Sequence, residues 1–162
     1  MPITQQPLAP TLGRGGIRTL MQKAHNPLNQ KNTIKCYSYL ARYEKEVKEN
    51  GGQYNIEHIQ DFLADNDIYL ETLTKNNMRR AVKHNNWILF EQNKRNKSSK
   101  DDVAHHLLRH IRNSIAHVYI TKYNGDIHIE DYQNNRKTMQ GKISEDLFFL
   151  LIDKLISTKN TL

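Results

Sequence analysis

Apolar residues recur every three or four positions over most of the chain beyond Pro27, which is the spacing of helices with one buried face. The first such segment covers residues 31–49 and ends at Asn50-Gly51-Gly52, a sequence that stops helices. Three more helices follow by the same pattern: a short one capped by Asn55, a short one from Asp67 and a longer one over about 77–95. The first part of the chain is therefore predicted to be helical.

The most amphipathic segment covers about residues 100–121. Ser99 and Asp102 begin it as a capping box, in which a hydroxyl and a carboxylate bond to the unpaired N–H groups at the start of a helix. A β-hairpin is predicted next, at about 118–132, because Asn124-Gly125 favours a type I′ turn and is flanked by isoleucines. One helix is thus predicted to lead directly into a hairpin.

The last part of the chain is predicted to return to helix. Residues 133–142 are polar and are interpreted as a connection. Ser144 then caps a final helix whose Leu and Phe positions supply a buried side. This order of elements predicts a mainly α fold, a bundle of about five helices with one β-hairpin inserted before the last helix.

The first residues differ in composition from the rest. All four prolines lie within the first 27 residues, and residues 1–16 lack helical periodicity. Residues 1–16 are therefore predicted to be a flexible basic tail. Residues 17–162 have the length and the apolar content of a single domain with one core.

Charge narrows the partners that we expect. The chain carries a net charge of +7, and the segment 71–100 holds eight bases against two acids, Glu71 and Glu91. Such a chain favours polyanionic partners, namely RNA, DNA or an anionic membrane, although surface charge can also serve solubility alone. We interpret the segment 71–100 as a basic face of the folded body.

Cysteine usage and hydropathy indicate the compartment. The single cysteine, Cys36, excludes an internal disulfide and fits a reducing environment. No apolar run approaches the ~20 residues that a membrane span needs. The N-terminus also lacks the charged and then apolar pattern of a signal sequence. The chain is therefore expected in the cytoplasm, without a membrane partner.

The helix at 100–121 carries most of the candidate chemistry. When it is turned by about 100° per residue, its apolar residues fall in one stripe about 100° wide: Ala104, Leu107, Leu108, Ile111, Ile115 and Val118. Seven polar residues lie outside this stripe: His105, Arg109 and Arg112 on one side, and His106, His110, Asn113 and His117 on the other. A solvated face is the simple interpretation, but three histidines and an asparagine clustered within about 60° favour a site.

Three chemistries suit this face. His106 and His110 have the i, i+4 spacing of zinc ligands, but the glutamate and the third ligand of such a site are missing, so neither a metal nor a cofactor is expected. A histidine such as His117 can exchange a proton with a ribose hydroxyl near neutral pH, while Arg112 can hold the phosphate, which together is acid–base cleavage of RNA. The same side chains can also bind phosphate without turnover.

The stretch Arg112-Asn113-Ser114-Ile115-Ala116-His117 resembles the signature of the HEPN family, an Arg and a His separated by four residues of which the first is polar. The resemblance covers about residues 99–160, and the Ile-rich hairpin is similar to a plasmid- and phage-associated branch of HEPN nucleases. It implies a HEPN-like helical domain in which Arg112 and His117 are the catalytic pair and Asn113 supports them.

A second stretch, from Arg79 to His84, has the same spacing, so the spacing alone does not identify the site. The later copy is preferred because an asparagine directly follows its arginine, both ends lie off the apolar stripe, and a hairpin follows it. Arg79 and His84 are interpreted as part of the basic face.

The resemblance also implies an activity and partners. HEPN proteins of this kind are metal-independent endoribonucleases of toxin–antitoxin or phage-defence systems, and a homodimer brings two motifs into one composite site. In such a dimer one His117 would act as base, and the other His117, or water, would act as acid. Arg109 and His110, on the same helix, are expected to help bind RNA.

Two further expectations remain open. Arg112…His117-Val118-Tyr119 is also similar to HEPN toxins paired with a minimal nucleotidyltransferase, so Tyr119 is a candidate for regulatory modification. An antitoxin or such a nucleotidyltransferase is then a candidate partner. The alternative to a nuclease is a non-catalytic helical adaptor that binds nucleic acid or a protein.

Overall fold

The computed structural model describes residues 28–92 and 101–159. The predicted tail at 1–16 and the Ser99–Asp102 capping box lie outside what can be described. The described part contains five α-helices: α1 Gln30–Arg42, α2 Gln60–Asp65, α3 Lys75–Ala81, α4 Asp101–Ala116 and α5 Glu145–Ser157. A π-helical turn, Tyr43–Val47, continues α1, and a 3₁₀ turn, Ile56–Ile59, precedes α2.

Five β-strands form one mixed sheet beside these helices: β1 Ile68–Thr72, β2 Asn86–Phe90, β3 Ile120–Tyr123, β4 Asp126–Gln133 and β5 Arg136–Ser144. Their order across the sheet is β1-β2-β5-β4-β3. β1 and β2 are parallel, and the other neighbours are antiparallel. The prediction of a mainly α bundle is therefore wrong, because the fold is α/β.

Three strands were missed, each for a physical reason. The predicted helix at 77–95 is α3 followed by β2, whose five residues are all buried. A strand that is buried on both faces shows no alternation, so periodicity cannot separate it from a buried helix. The short helix predicted from Asp67 is β1, and the polar connection predicted at 133–142 is largely β5. β5 lies between β2 and β4, and both neighbours satisfy its backbone.

The predicted hairpin is confirmed as β3 and β4. Asn124 and Gly125 both have positive φ, 52° and 82°, as a type I′ turn requires. A second turn of the same kind joins β4 to β5, where Asn134 and Asn135 have φ of 52° and 65°. The signal for that turn was present in the sequence, since asparagine tolerates the left-handed region better than most residues do.

The core lies between the sheet and α4 and α5. The predicted apolar stripe of α4 is buried over most of its length: Ala104, Leu107, Leu108, Ile111 and Ile115. Val118, assigned to the same stripe, is 70% exposed. Isoleucines of β2, β4 and β5 complete the core against these helices. No helix within the described ranges is long and apolar enough to cross a membrane.

Candidate functional site

The end of α4 places His117 at the surface. The predicted helix continued to about residue 121, but the observed one ends just before His117, because Val118 has φ of 60° and reverses the chain. The Val118 N–H bonds to the Ile115 carbonyl at 3.2 Å, and the Tyr119 N–H bonds to the Ser114 carbonyl at 2.8 Å. This pair of bonds is a Schellman motif, in which His117 is the C-cap residue. A β-branched residue rarely occupies that left-handed position.

The His117 side chain is exposed on this cap. Its ring lies 6.3 Å from the ring of Tyr119, which in turn meets the Tyr132 ring edge-on at 5.0 Å. Tyr119 is only 7% exposed. An aromatic row therefore leads from His117 at the surface to Tyr132 on β4.

Arg112 is held by two neighbours. Its Nη1 donates to the Asn113 Oδ1 at 3.3 Å, and its Nε lies 3.6 Å from the Glu44 Oε2. Glu44 belongs to the π-helical turn after α1, and its role was not anticipated from the sequence. The Arg112 side chain is about one-third exposed, so it has fixed partners and still reaches solvent.

Asn113 links Arg112 to a buried pair on the other side. The Asn113 Nδ2 donates to the Asp131 Oδ2 at 3.2 Å, and the same oxygen lies 2.8 Å from the His110 Nδ1. The His110 Nε2 lies 2.7 Å from the Glu91 carbonyl oxygen. We call this series, Arg112–Asn113–Asp131–His110–Glu91, the polar chain. His110 and Asp131 are 2% and 3% exposed, so the centre of the chain is sealed from water.

The donors and acceptors at His110 restrict its chemistry. A carbonyl oxygen only accepts, so the Nε2 that faces Glu91 carries a hydrogen. The Nδ1 faces the Asp131 carboxyl group at 2.8 Å. Both ring nitrogens are therefore committed to the protein. His110 in this arrangement ties α4 to the end of β2 and to β4.

Asp131 lies next to a β-bulge between β4 and β5. The register shifts between Asp131 and Tyr132 of β4, and the extra residue, Thr138, is on β5. The Asp131 Oδ1 accepts from the Tyr132 N–H at 2.9 Å, so both carboxyl oxygens have partners. One residue earlier, the Glu130 carbonyl accepts from the Ser114 hydroxyl of α4. This part of β4 is thus fastened to the helix that carries the motif.

A cleft of about 530 Å³ opens beside the polar chain. It lies between α4, the end of β2 and the bulge between β4 and β5, and its lining is mostly polar: Glu91, Gln92, Arg109, His110, Asn113, Asp131, Tyr132, Gln133 and Thr138. Three residues predicted for the site, Arg109, His110 and Asn113, are in this lining. Arg112, His117 and Tyr119 are not.

A family model described as HEPN pEK499 p136 matches residues 15–160, nearly the whole chain. The chain belongs to this HEPN family. No curated protein and no solved structure gives a significant match to it. Membership confirms the resemblance seen in the motif, and it indicates a nucleotide-binding or ribonuclease-type function for this HEPN protein.

The remaining two histidines of the HEPN helix are not fully solvated. His106 is buried, like His110, and His105 is half-buried. The His105 Nε2 lies 3.0 Å from the Val47 carbonyl oxygen, and its ring stacks on Tyr54. A search of the described residues finds no group of three His, Cys, Asp or Glu side chains that could hold a metal ion.

The second stretch with the HEPN spacing has different surroundings. The His84 Nδ1 lies 2.7 Å from the Asp67 Oδ1, and its ring stacks on Tyr69 at 4.8 Å. The backbone N–H of Asn85 and the His84 ring together lower the pKa of Asp67. Arg79 bonds only within its own helix, to Asn76. His84 is engaged by an acid, whereas His117 is not, within the part of the chain that the structure describes.

Proposed function

We propose that this HEPN protein is a metal-independent endoribonuclease whose reacting groups are Arg112 and His117. The observation that supports this most directly is the contrast along α4. His110 is buried with both nitrogens engaged, while His117 is exposed at the C-cap, one turn beyond an arginine that the fold already orients. Histidine can move the protons of RNA cleavage, and a fixed guanidinium can stabilise the charge on the phosphate.

We further propose that the working unit is a homodimer. One histidine does not readily serve as base and acid in a single step, whereas a two-fold axis near His117 supplies a second copy. Val118, directly after His117, is an apolar side chain that is 70% exposed, so a second copy placed against His117 would also remove Val118 from water. In this arrangement one His117 deprotonates the 2′-hydroxyl, the other protonates the leaving 5′-oxygen, and the Arg112 pair holds the phosphate.

The cleft next to the polar chain is proposed to receive nucleotides that flank the cleaved bond. Arg109 lies in its wall, three residues before Arg112 on the same helix, so it can hold a neighbouring phosphate. His110 is proposed to shape this wall rather than to bind RNA through its ring nitrogens, because the protein already occupies both.

The biological setting is proposed to be a toxin–antitoxin or phage-defence system acting on cytoplasmic RNA, with an antitoxin or a minimal nucleotidyltransferase as partner. Tyr119 stays a prediction as the modified residue. Its ring is buried against Tyr132, so a modifying enzyme would reach it only after that contact opens.

Labelled RNA incubated with the pure protein and EDTA tests the proposal. We expect cleavage by the wild type and a kcat at least about 100-fold lower for His117→Ala, which is the usual effect of losing a general acid or base. His84→Ala is the matched control, because it removes the histidine of the other stretch with the same spacing.

Two results would count against the proposal. One is cleavage by His117→Ala at the wild-type rate, and the other is activity that EDTA abolishes. Salt-sensitive binding of RNA without cleavage under any condition would favour the non-catalytic adaptor instead.

A further inference from the structure

The amide of Asn113 is a directional link. An amide group has one accepting end and one donating end. On one side stands the Arg112 guanidinium, which only donates, and on the other stands the Asp131 carboxylate, which accepts. Only one of the two amide orientations satisfies both neighbours. Asp131 therefore decides which end of Asn113 faces Arg112.

Asp131 is itself held by His110. The two side chains meet at 2.8 Å in the interior, and the far side of the His110 ring is anchored on the Glu91 carbonyl. The edge of the ring also packs against Phe90, with the ring centroids 6.0 Å apart. The Asp131 carboxyl group is thus fixed by β2, by α4 and by its own strand.

We infer that Asp131 and His110 are positioning residues that orient Arg112 through the amide of Asn113. This inference rests on the proposed ribonuclease function. Neither residue touches the RNA phosphate. They hold the accepting end of Asn113 toward the guanidinium, and this end, together with Glu44, fixes the direction in which Arg112 presents its hydrogens.

The rate of the proposed reaction should depend on how accurately Arg112 is placed. A misplacement of a binding group by about 1 Å can cost about 100-fold in rate, although the group is still present. When Asp131 is replaced by asparagine, its oxygen must stay on the Tyr132 N–H, which only donates, so its NH₂ group takes the place of the Oδ2 that faced Asn113 and His110. This NH₂ group then faces the NH₂ group of Asn113. Asn113 must turn over, and it then presents a donor to Arg112, which is also a donor.

An exchange of the two side chains restores the order of donors and acceptors. Asn113→Asp alone places a second carboxylate about 3 Å from Asp131, and the two repel. In the double variant Asn113→Asp/Asp131→Asn, the new carboxylate accepts from Arg112 and from one N–H of the new amide. The second N–H of that amide faces the His110 Nδ1, which accepts when Nε2 alone carries a hydrogen, and the amide oxygen keeps the Tyr132 N–H. Every bond of the polar chain then has a donor and an acceptor again.

The test measures kcat and KM for RNA cleavage by the two single variants and the double variant, at a temperature where thermal unfolding shows all of them folded. We expect kcat to fall about 10- to 100-fold in each single variant and to return to within about tenfold of the wild type in the double variant. KM should change less than kcat.

Glu130→Gln is the matched control. Glu130 is the neighbouring buried acid on β4, but it bonds to Lys137 and Tyr132 instead of the polar chain. Its replacement should leave kcat near the wild-type value.

A readout independent of cleavage is the NMR resonance of the Arg112 Nε–H group. It should shift and broaden in Asp131→Asn and return toward its wild-type position in the double variant. Two results would overturn the inference. One is an unchanged kcat and an unchanged resonance in the single variants. The other is a folded double variant whose kcat is no higher than that of the worse single variant. Failure of the proposed function would give a different result: the wild type would not cleave RNA, or its cleavage would not depend on His117. The Arg112 resonance would still test the polar chain in that case.

Discussion

At the scale of single residues, chemically identical side chains on α4 have opposite surroundings. His110 and His117 are seven residues apart and therefore lie close to the same side of an ideal helix. One is sealed between the helix and β4, and the other lies on the cap at the surface. The difference arises because the strand that covers His110 does not cover the helix end. Exposure thus separates a positioning histidine from a candidate reacting one.

Close packing at one glycine gives a prediction for stability. A Cβ at Gly141, in the central strand β5, would lie 2.9 Å from a side-chain carbon of Ile88, 3.1 Å from the Trp87 carbonyl oxygen and 3.2 Å from a side-chain carbon of Ile129. Gly141→Ala should therefore lower the free energy of unfolding by about 1–3 kcal/mol, the cost of overpacking a core. Urea unfolding measures this change.

The control for Gly141 is Gln140→Ala, one position earlier on the same strand and partly exposed. It should change the free energy of unfolding by less than about 0.5 kcal/mol. If Gly141→Ala were as stable as Gln140→Ala, the close approach at the centre of the sheet would not be real.

At the scale of elements, the surroundings of the HEPN motif depend on where α4 ends and on which residues of β4 contact this helix. If the helix continued to residue 121, His117 would occupy a regular helical position and Val118 would lie on the buried apolar stripe of α4. The Schellman motif instead ends the helix, exposes His117 and sends the chain into β3. β4 contributes Asp131, which lies next to the bulge and contacts His110 and Asn113 of the same helix. The helix end and the bulge are both local features, and together they determine what surrounds the polar side chains of α4.

The pairing of β4 also predicts a dependence of stability on pH. His128 is half-buried, and its pKa is lowered chiefly by burial and also by Lys142, which is paired with it across the sheet, while Asp126 and Glu130 act in the opposite direction. A histidine with a lowered folded-state pKa stabilises the fold fully above its unfolded pKa of 6.5. That stability is lost as the pH falls through the folded-state value.

Urea unfolding at pH 7.5 and pH 5.5 tests this effect. His128→Gln should lose less stability on acidification than the wild type, and the difference should stay below about 1.4 kcal/mol per pH unit, the limit for one proton. His58→Gln, which changes an exposed histidine, is the control. Equal losses in the wild type and in His128→Gln would show that His128 does not contribute.

At the scale of the whole molecule, the sheet is the frame on which the helices are mounted. α4 and α5 pack against it, and the cleft forms where α4 meets the end of β2 and the bulge between β4 and β5. His117, the proposed reacting histidine, is exposed and is not in the lining of the cleft. The motif of a single chain therefore presents one exposed histidine and one oriented arginine, which suits the proposed site completed by a second copy.

Disruption of the proposed dimer should remove activity without unfolding the chain. Val118→Glu places a charge on the apolar surface next to His117, so we expect a monomer in analytical ultracentrifugation and loss of RNA cleavage. Leu150→Glu is the control, because Leu150 is 43% exposed but lies on α5. A Val118→Glu protein that remained monomeric and cleaved RNA normally would refute the composite site.

The sequence by itself determined the features that depend on neighbouring residues along the chain. Helical spacing located α4 and α5, the Asn-Gly pair located the first hairpin turn, and the motif with its following asparagine led to the HEPN family. Local patterns are sufficient there because caps, turns and amphipathic stripes are set by residues within one or two turns.

Only the tertiary structure decided the sheet and the surroundings of the site. β2 and β5 are strands because neighbours distant in sequence satisfy their backbones, and no local pattern records that. The pairing of Asp131 with His110 and Asn113 joins residues 21 and 18 positions apart. Whether a polar side chain on α4 faces water or a carboxylate depends on what packs over it, as the contacts of His110 and Asn113 with β4 show.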